Sequence, residues 1–210
     1  MPSYKISYFN IRGLAEPARM MLALRGCDYV DERFSHEEWP QRKIDKAAYP
    51  LGQAPVLTID GKVVIPQIRA ICRYLASELD FFATTRLEGA QIDVILETLT
   101  DIGKKLVPIL LNPDESKKAE LGKEFVQSSS KPYFSYLDEL IKDAGGKYFV
   151  GNKISLADIE VFHTLDMMTN SKYAIEGVLD AYPQLSAFYK FFKDDGPLNS
   201  YLKSRPVTDA

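Results

Sequence analysis

Tyr8 stands at the end of a short alternating stretch, residues 4–9, and its phenolic O–H can donate to an anion as well as accept a hydrogen bond. Taken alone, such a residue reads better as an aromatic strand position whose hydroxyl finds a partner in the fold. The remaining chemistry-bearing side chains narrow the field. Cys27 and Cys72 are too far apart for a CxxC redox pair and too few for a disulfide framework or a metal-ligand set, so they read as reduced thiols. Cys72 lies in the apolar-patterned segment 70–76 and suits a buried structural thiol. His36 and His163 form no site with any identifiable partner, and no metal is expected. Asp93, Glu97 and Asp101 fall at helical spacing, which by itself describes a solvated carboxylate face.

The elements that must position these groups divide into two kinds. Residues 4–9 read as a strand, and 14–25 as a helix with Pro17 in its first turn and Gly26 as its stop. A second strand covers 28–34, and 37–47 is a charged, irregular helical stretch interrupted by Pro40. Apolar runs at 55–59 and 62–65 flank Asp60-Gly61, a strong hairpin signal, and a helix over 67–79 follows. This order predicts a small mixed sheet with helices on its faces.

Beyond residue 80 the pattern becomes helical. Leu87, Ala90, Val94, Ile95, Leu99, Ile102, Leu106 and Ile109 sustain a three-four spacing over one long helix. Further helices are predicted over 116–142, 155–168, 173–181, 184–193 and 198–204. Ser155 and Asp158 have the spacing of a capping box, with Ile154 and Ile159 as its hydrophobic staple. The expected division is an α/β domain over 1–80 and an all-helical domain over 86–210.

The chain has 210 residues, with 26 Lys+Arg against 29 Asp+Glu and a net charge of −3. Near-balanced charge gives no electrostatic reason to expect nucleic acid or an anionic membrane as partner. The N-terminal residues show no signal-peptide pattern, and no apolar run approaches the ~20 residues of a membrane helix. The expected location is cytoplasmic.

A set of motifs, taken in order, is more specific. Tyr8 with Arg12-Gly13 and Ala15-Glu16, Trp39-Pro40 with Lys43, Gly52-Gln53-Ala54-Pro55-Val56-Leu57, Asp60-Gly61, Pro66-Gln67 and the segment 70–76 resemble cytosolic glutathione transferases of the tyrosine type. The capped helix at 151–158 matches too, and the Arg205-Pro206-Val207 ending is similar to that of the sigma class. The resemblance implies a thioredoxin-like glutathione-binding domain, an all-helical domain that adds the electrophile pocket, and a homodimer. It implies that Tyr8 donates to the glutathione thiolate, the nucleophile, because a free thiol of pKa about 8.5 is mostly protonated at neutral pH.

The same resemblance assigns the other contacts. Lys43 and the Trp39 indole N–H would serve the glycyl carboxylate, although alone they read as a solvated charge and a packing residue. Ala54 would pair its main chain with the cysteinyl backbone ahead of a cis Pro55, beside Gln53; in isolation Pro55 is an ordinary turn proline. Gln67 and the helix start at Ile68 would receive the γ-glutamyl carboxylate. Asp101 would reach across the dimer to the γ-glutamyl ammonium. Ile11, Leu14 and Leu106 would line the electrophile pocket.

Two positions depart from the family pattern. Ile68 replaces a serine that usually adds a hydroxyl to the carboxylate site, so only the backbone N–H remains. Leu14 replaces an arginine frequent in sigma members, which argues against prostaglandin isomerisation and for general conjugation of small hydrophobic electrophiles, with reduction of lipid peroxides as a further activity. These departures also motivate an alternative, a non-catalytic member acting as a carrier of apolar ligands such as haem, or as a structural protein like the lens crystallins.

Overall fold

A computed structural model describes residues 2–208. The first strand, β1 (Tyr4–Phe9), is followed by a 3-10 turn at Gly13–Ala15, α1 (Glu16–Leu24) and β2 (Tyr29–Phe34). A short α2 (Trp39–Arg42), the hairpin β3 (Val56–Ile59) and β4 (Val63–Pro66), and α3 (Ile68–Glu78) complete this part. The sheet order is β2-β1-β3-β4, with β1 parallel to β2 and antiparallel to β3, and β3 antiparallel to β4. β1 lies inside the sheet and is accordingly buried on both faces. Tyr4, Ile6 and Tyr8 are all buried on one face, and Ser7 on the other. The hairpin turns at Asp60-Gly61, both of which adopt positive φ, and its loop spans residues 60–62, since Ile59 pairs with Val63.

One aromatic cluster fixes α2 beside this sheet. Trp39 stacks on Phe34 with ring centroids 5.5 Å apart, and meets Tyr49 at 5.2 Å and Phe9 at 5.4 Å edge-on. The charged stretch 37–47 is helical only over Trp39–Arg42, because Asp45 turns its side chain onto the N–H groups of Ala47 and Ala48 and competes with helix continuation.

The second part contains α4 (Arg86–Leu110), α5 (Glu115–Glu124), α6 (Lys131–Asp143), α7 (Leu156–Thr169) and α8 (Pro183–Lys190), and α9 (Asn199–Ser204) follows. Thr85 and Glu88 cap α4 reciprocally. Its buried stripe is Ile92, Ile95, Leu96, Leu99, Ile102, Leu106 and Ile109, whereas Leu87 and Val94, which the sequence pattern included, are exposed. The predicted helix over 116–142 is two helices joined by a wide π-type turn at Phe125–Ser129, with Pro132 at the restart, where its missing N–H is tolerated. Residues 173–181 do not form the predicted helix. Ala174, Val178, Asp180 and Tyr182 make successive three-residue turns, and Gly177 sits at φ +72°.

Two compact units result. One comprises the residues up to Phe82 together with those from Ser200 onward, and the other is Ala83–Asn199. The final segment thus packs with the sheet unit, although the helical pattern of the sequence groups it with the second half. No helix among the described residues is long and apolar enough to cross a membrane.

Candidate functional site

The site begins where β1 ends. Tyr8 is buried, and its hydroxyl oxygen accepts the Leu14 N–H at 3.3 Å from the 3-10 turn. Gly13 permits this approach. Its φ is +41°, and a Cβ there would lie 2.9 Å from the Tyr8 oxygen. Burial pushes the Tyr8 phenol up, with the Leu14 N–H and the Arg19 guanidinium opposing that shift. The group therefore stays protonated at neutral pH and can act as a hydrogen-bond donor.

Leu14 lines a cleft of about 360 Å³ together with Phe9, Trp39, Gly52, Gln53, Ala54, Pro55, Gln67 and Ile68. Six residues assigned to glutathione from the sequence thus come together here: Trp39, Gln53, Ala54, Pro55, Gln67 and Ile68. The Ala54–Pro55 bond is cis, immediately ahead of β3. Trp39 packs in the aromatic cluster and also borders the cleft.

Gln67 is held at φ +73°, ψ +111°, a conformation costly for any residue with a Cβ, and its amide Nε2 donates to Gln53 Oε1 at 3.4 Å. It precedes α3 without a side-chain cap, and the first turn of that helix carries no acidic residue. Open helix N–H groups and the positive end of the dipole make this edge complementary to a carboxylate. Such strain is expected to be measurable. Gln67→Gly should raise stability by about 1 kcal/mol in urea denaturation, because relieving roughly 1–3 kcal/mol of backbone strain exceeds the 0.5–1 kcal/mol entropy cost of glycine. An unchanged or lower midpoint would mean that the Gln53 contact outweighs the strain.

The remaining assigned residues lie elsewhere. Lys43 is exposed and is not among the residues lining the cleft, whereas the ammonium of Lys46 lies 3.0 Å from where a Cβ on Gly52 would sit. The sequence offered no reason to prefer Lys46, because its approach depends on Gly52 at φ +59°. Leu14 is exposed by its side chain, and Ile11 is half-buried with its carbonyl accepting from Arg19 at 2.8 Å. Asp101 and Leu106 belong to α4 of the helical unit. Asp101 is half-buried and pairs with Lys104 at 2.8 Å, and Leu106 is buried. Among the described residues, no cluster of three or more His, Cys, Asp or Glu could hold a metal ion.

A mixed four-stranded sheet with a cis-proline turn ahead of β3, followed by a helical unit, is the thioredoxin-like architecture of two-part glutathione-binding proteins. Comparisons specify it further. Residues 14–78 match the glutathione S-transferase N-terminal domain, and residues 100–205 match the glutathione S-transferase C-terminal domain. The chain is 33% identical to a probable glutathione S-transferase 7 of Caenorhabditis elegans, covering 99% of both chains. It is 30% identical to S-crystallin 4 of Enteroctopus dofleini over the whole of both. A solved sigma class glutathione S-transferase of Fasciola hepatica superposes with a TM-score of 0.88 at 28% identity, covering 100% of this chain and 99% of that one. The chain belongs to the cytosolic glutathione S-transferase family, whose co-substrate is glutathione.

Proposed function

We propose that this protein conjugates glutathione to small hydrophobic electrophiles, with Tyr8 as the donor that stabilises the thiolate. The observation that carries this reading is the Tyr8 hydroxyl, buried, protonated and held by the N–H of Leu14, a residue that lines the same cleft as Gln53, Ala54 and cis Pro55. A neutral phenol donating to sulfur favours the charged thiolate and lowers the thiol pKa, which raises the nucleophile's population at neutral pH. In this reading the Ala54 main chain pairs with the cysteinyl backbone and Trp39 borders the glycyl end with Lys43. Gln53 lies beside Ala54; Gln67 and the α3 N-terminus at Ile68 receive the γ-glutamyl end, and Asp101 of a second copy completes it. Leu14, which lines the cleft, faces the electrophile. The assembly is a sigma-like cytoplasmic homodimer that serves detoxification, with peroxide reduction as an accompanying activity.

Ile68 supports a second reading. Its side chain lines the cleft at the first position of α3, where a serine hydroxyl would add a bond to a carboxylate. A hydrogen bond to a charged group is worth roughly 1.5–3 kcal/mol, or one to two decades in affinity. A chain lacking it could serve as a structural or carrier protein, and the similarity to S-crystallin 4 fits that role. The two readings separate by calorimetry with glutathione and by turnover of an aryl halide. Ile68→Ser is expected to tighten glutathione binding about ten-fold or more, against a wild type that already binds and turns over. A wild type that neither binds nor turns over, with binding restored in Ile68→Ser, would establish the non-catalytic role.

A further inference from the structure

The most heavily charged buried site in the sheet unit lies behind Tyr8, and the family assignment gives it no task. Glu16, at the start of α1, and Arg19, one turn on, are both fully buried. Glu16 Oε1 accepts the Tyr201 hydroxyl at 3.0 Å and Arg205 Nη1 at 3.1 Å. Both donors come from the end of the chain, 185 and 189 residues away in sequence. Arg19 Nε donates to Asp31 Oδ1 at 3.0 Å on β2, and Asp31 Oδ2 takes Arg33 Nε at 2.7 Å. Charges therefore alternate along Arg205, Glu16, Arg19, Asp31 and Arg33, linking the final segment, α1 and the sheet.

The division of Arg19 Nη1 among its acceptors is informative. This one nitrogen donates to the Ile11 carbonyl at 2.8 Å, to the Arg12 carbonyl at 3.2 Å, and to Glu16 Oε2 at 3.4 Å. The salt-bridge partner is the most distant of the three, although a buried carboxylate attracts a guanidinium more strongly than a neutral carbonyl does. Tyr201 and Arg205 account for this ordering, because they already satisfy the other Glu16 oxygen. Burial beside the Glu16 carboxylate pushes the Tyr201 phenol up, so it remains a donor at any ordinary pH. The two carbonyls that Arg19 grips belong to the turn leading to Leu14, whose N–H meets the Tyr8 oxygen, and the Arg19 guanidinium carbon lies 5.9 Å from the Tyr8 ring centre.

We propose that Tyr201 and Arg205 are positioning residues for the conjugation reaction: by saturating Glu16 they leave Arg19 free to hold the Ile11 and Arg12 carbonyls, which keeps the Leu14 N–H on the Tyr8 hydroxyl. This rests on Tyr8 being the thiolate donor. Without the two tail residues, Arg19 is drawn toward an under-neutralised Glu16, its grip on the turn loosens, and the phenol loses the contact that orients its proton toward the sulfur. The final segment thus acts on the chemistry without touching glutathione.

The test compares Tyr201→Phe, Arg205→Met and Arg205→Lys with wild type and with Tyr8→Phe. The readouts are the bound glutathione thiol pKa, from thiolate ultraviolet absorbance and the pH profile of kcat/KM, together with the glutathione Kd and Tm. Tyr201→Phe and Arg205→Met should raise the bound thiol pKa by about 0.5–1 unit, so that kcat/KM in mildly acidic buffer falls about 3- to 10-fold. Glutathione Kd should change less than about two-fold, and Arg205→Lys should recover most of the profile. Tyr201→Phe removes a single oxygen, so it keeps the experiment decisive if Arg205→Met folds poorly. A lower Tm with an unmoved thiol pKa in these variants, while Tyr8→Phe does shift it, would reduce the tail to a structural staple and overturn the proposal. No shift in Tyr8→Phe would instead remove the Tyr8 reading, and the role of the tail with it.

Discussion

Tyr8→Phe is expected to lower kcat/KM for aryl halide conjugation roughly 10- to 150-fold, the equivalent of the 1.5–3 kcal/mol that a hydrogen bond to a charged partner contributes. The phenol is buried, so its loss is not replaced by solvent at the same point, and the ring itself remains to fill the space. The glutathione Kd should move much less than kcat, because the bond is made to the thiolate and not to the carboxylates that anchor the tripeptide. The bound thiol pKa should rise in parallel with the loss of rate at neutral pH. Equal losses at mildly acidic and alkaline pH would contradict this, since an alkaline solution ionises the thiol without help and should narrow the gap. An unchanged rate at every pH would leave the protein with a transferase fold and some other donor.

The sequence carried the local part of this structure well. The alternation of β1, the Asp60-Gly61 turn and the Ser155–Asp158 cap are each set by residues close in the chain, and their physical cause is readable at that range. Their outcomes in the structure follow directly. The breaks at Phe125–Ser129 and residues 173–181 were not readable, because apolar spacing continues through both while the backbone hydrogen bonds change register. Leu87 and Val94 show the same limitation, since periodicity names a stripe and tertiary packing selects its edge.

The site divides in the same way. Tyr8, Trp39 and Pro55 each have a bland reading, and only the order of the motifs along the chain distinguishes them; the cleft then brings Trp39 and Pro55 together with Gln53 and Gln67. What no local pattern could disclose is the support behind Tyr8. Glu16 and Arg19 look like an exposed, weakly stabilising helical pair three residues apart. They are instead buried, and Asp31, Tyr201 and Arg205 reach them from distant parts of the chain. The backbone strain at Gln67 is equally invisible, because any residue type other than glycine would be predicted to avoid that conformation.

Asp158→Ala is expected to cost about 3–5 kcal/mol at neutral pH, a large share of the roughly 5–15 kcal/mol that holds a typical domain folded. Asp158 is fully buried, with Oδ1 accepting the Phe149 N–H at 2.8 Å and Oδ2 accepting both the N–H and the hydroxyl of Ser155 at 2.7 Å. Alanine would leave three buried donors without an acceptor and uncap α7, a helix buried along much of its length. Ser155→Ala, which keeps the Asp158 bonds to both backbone N–H groups, should cost only about 0.5–2 kcal/mol. The pH dependence has an unusual sign. Burial pushes the Asp158 carboxyl up to about 6, from 3.8 when exposed, so between these values the folded chain holds a proton that the unfolded chain has released. Stability contributed by this group therefore rises as pH falls from about 6 to about 4, opposite to an ion-paired surface carboxylate. In urea denaturation the gap between wild type and Asp158→Ala should be wider at pH ~5 than at pH ~7. A gap that narrows on acidification would mean that the three donors hold the carboxylate charged more strongly than burial opposes it.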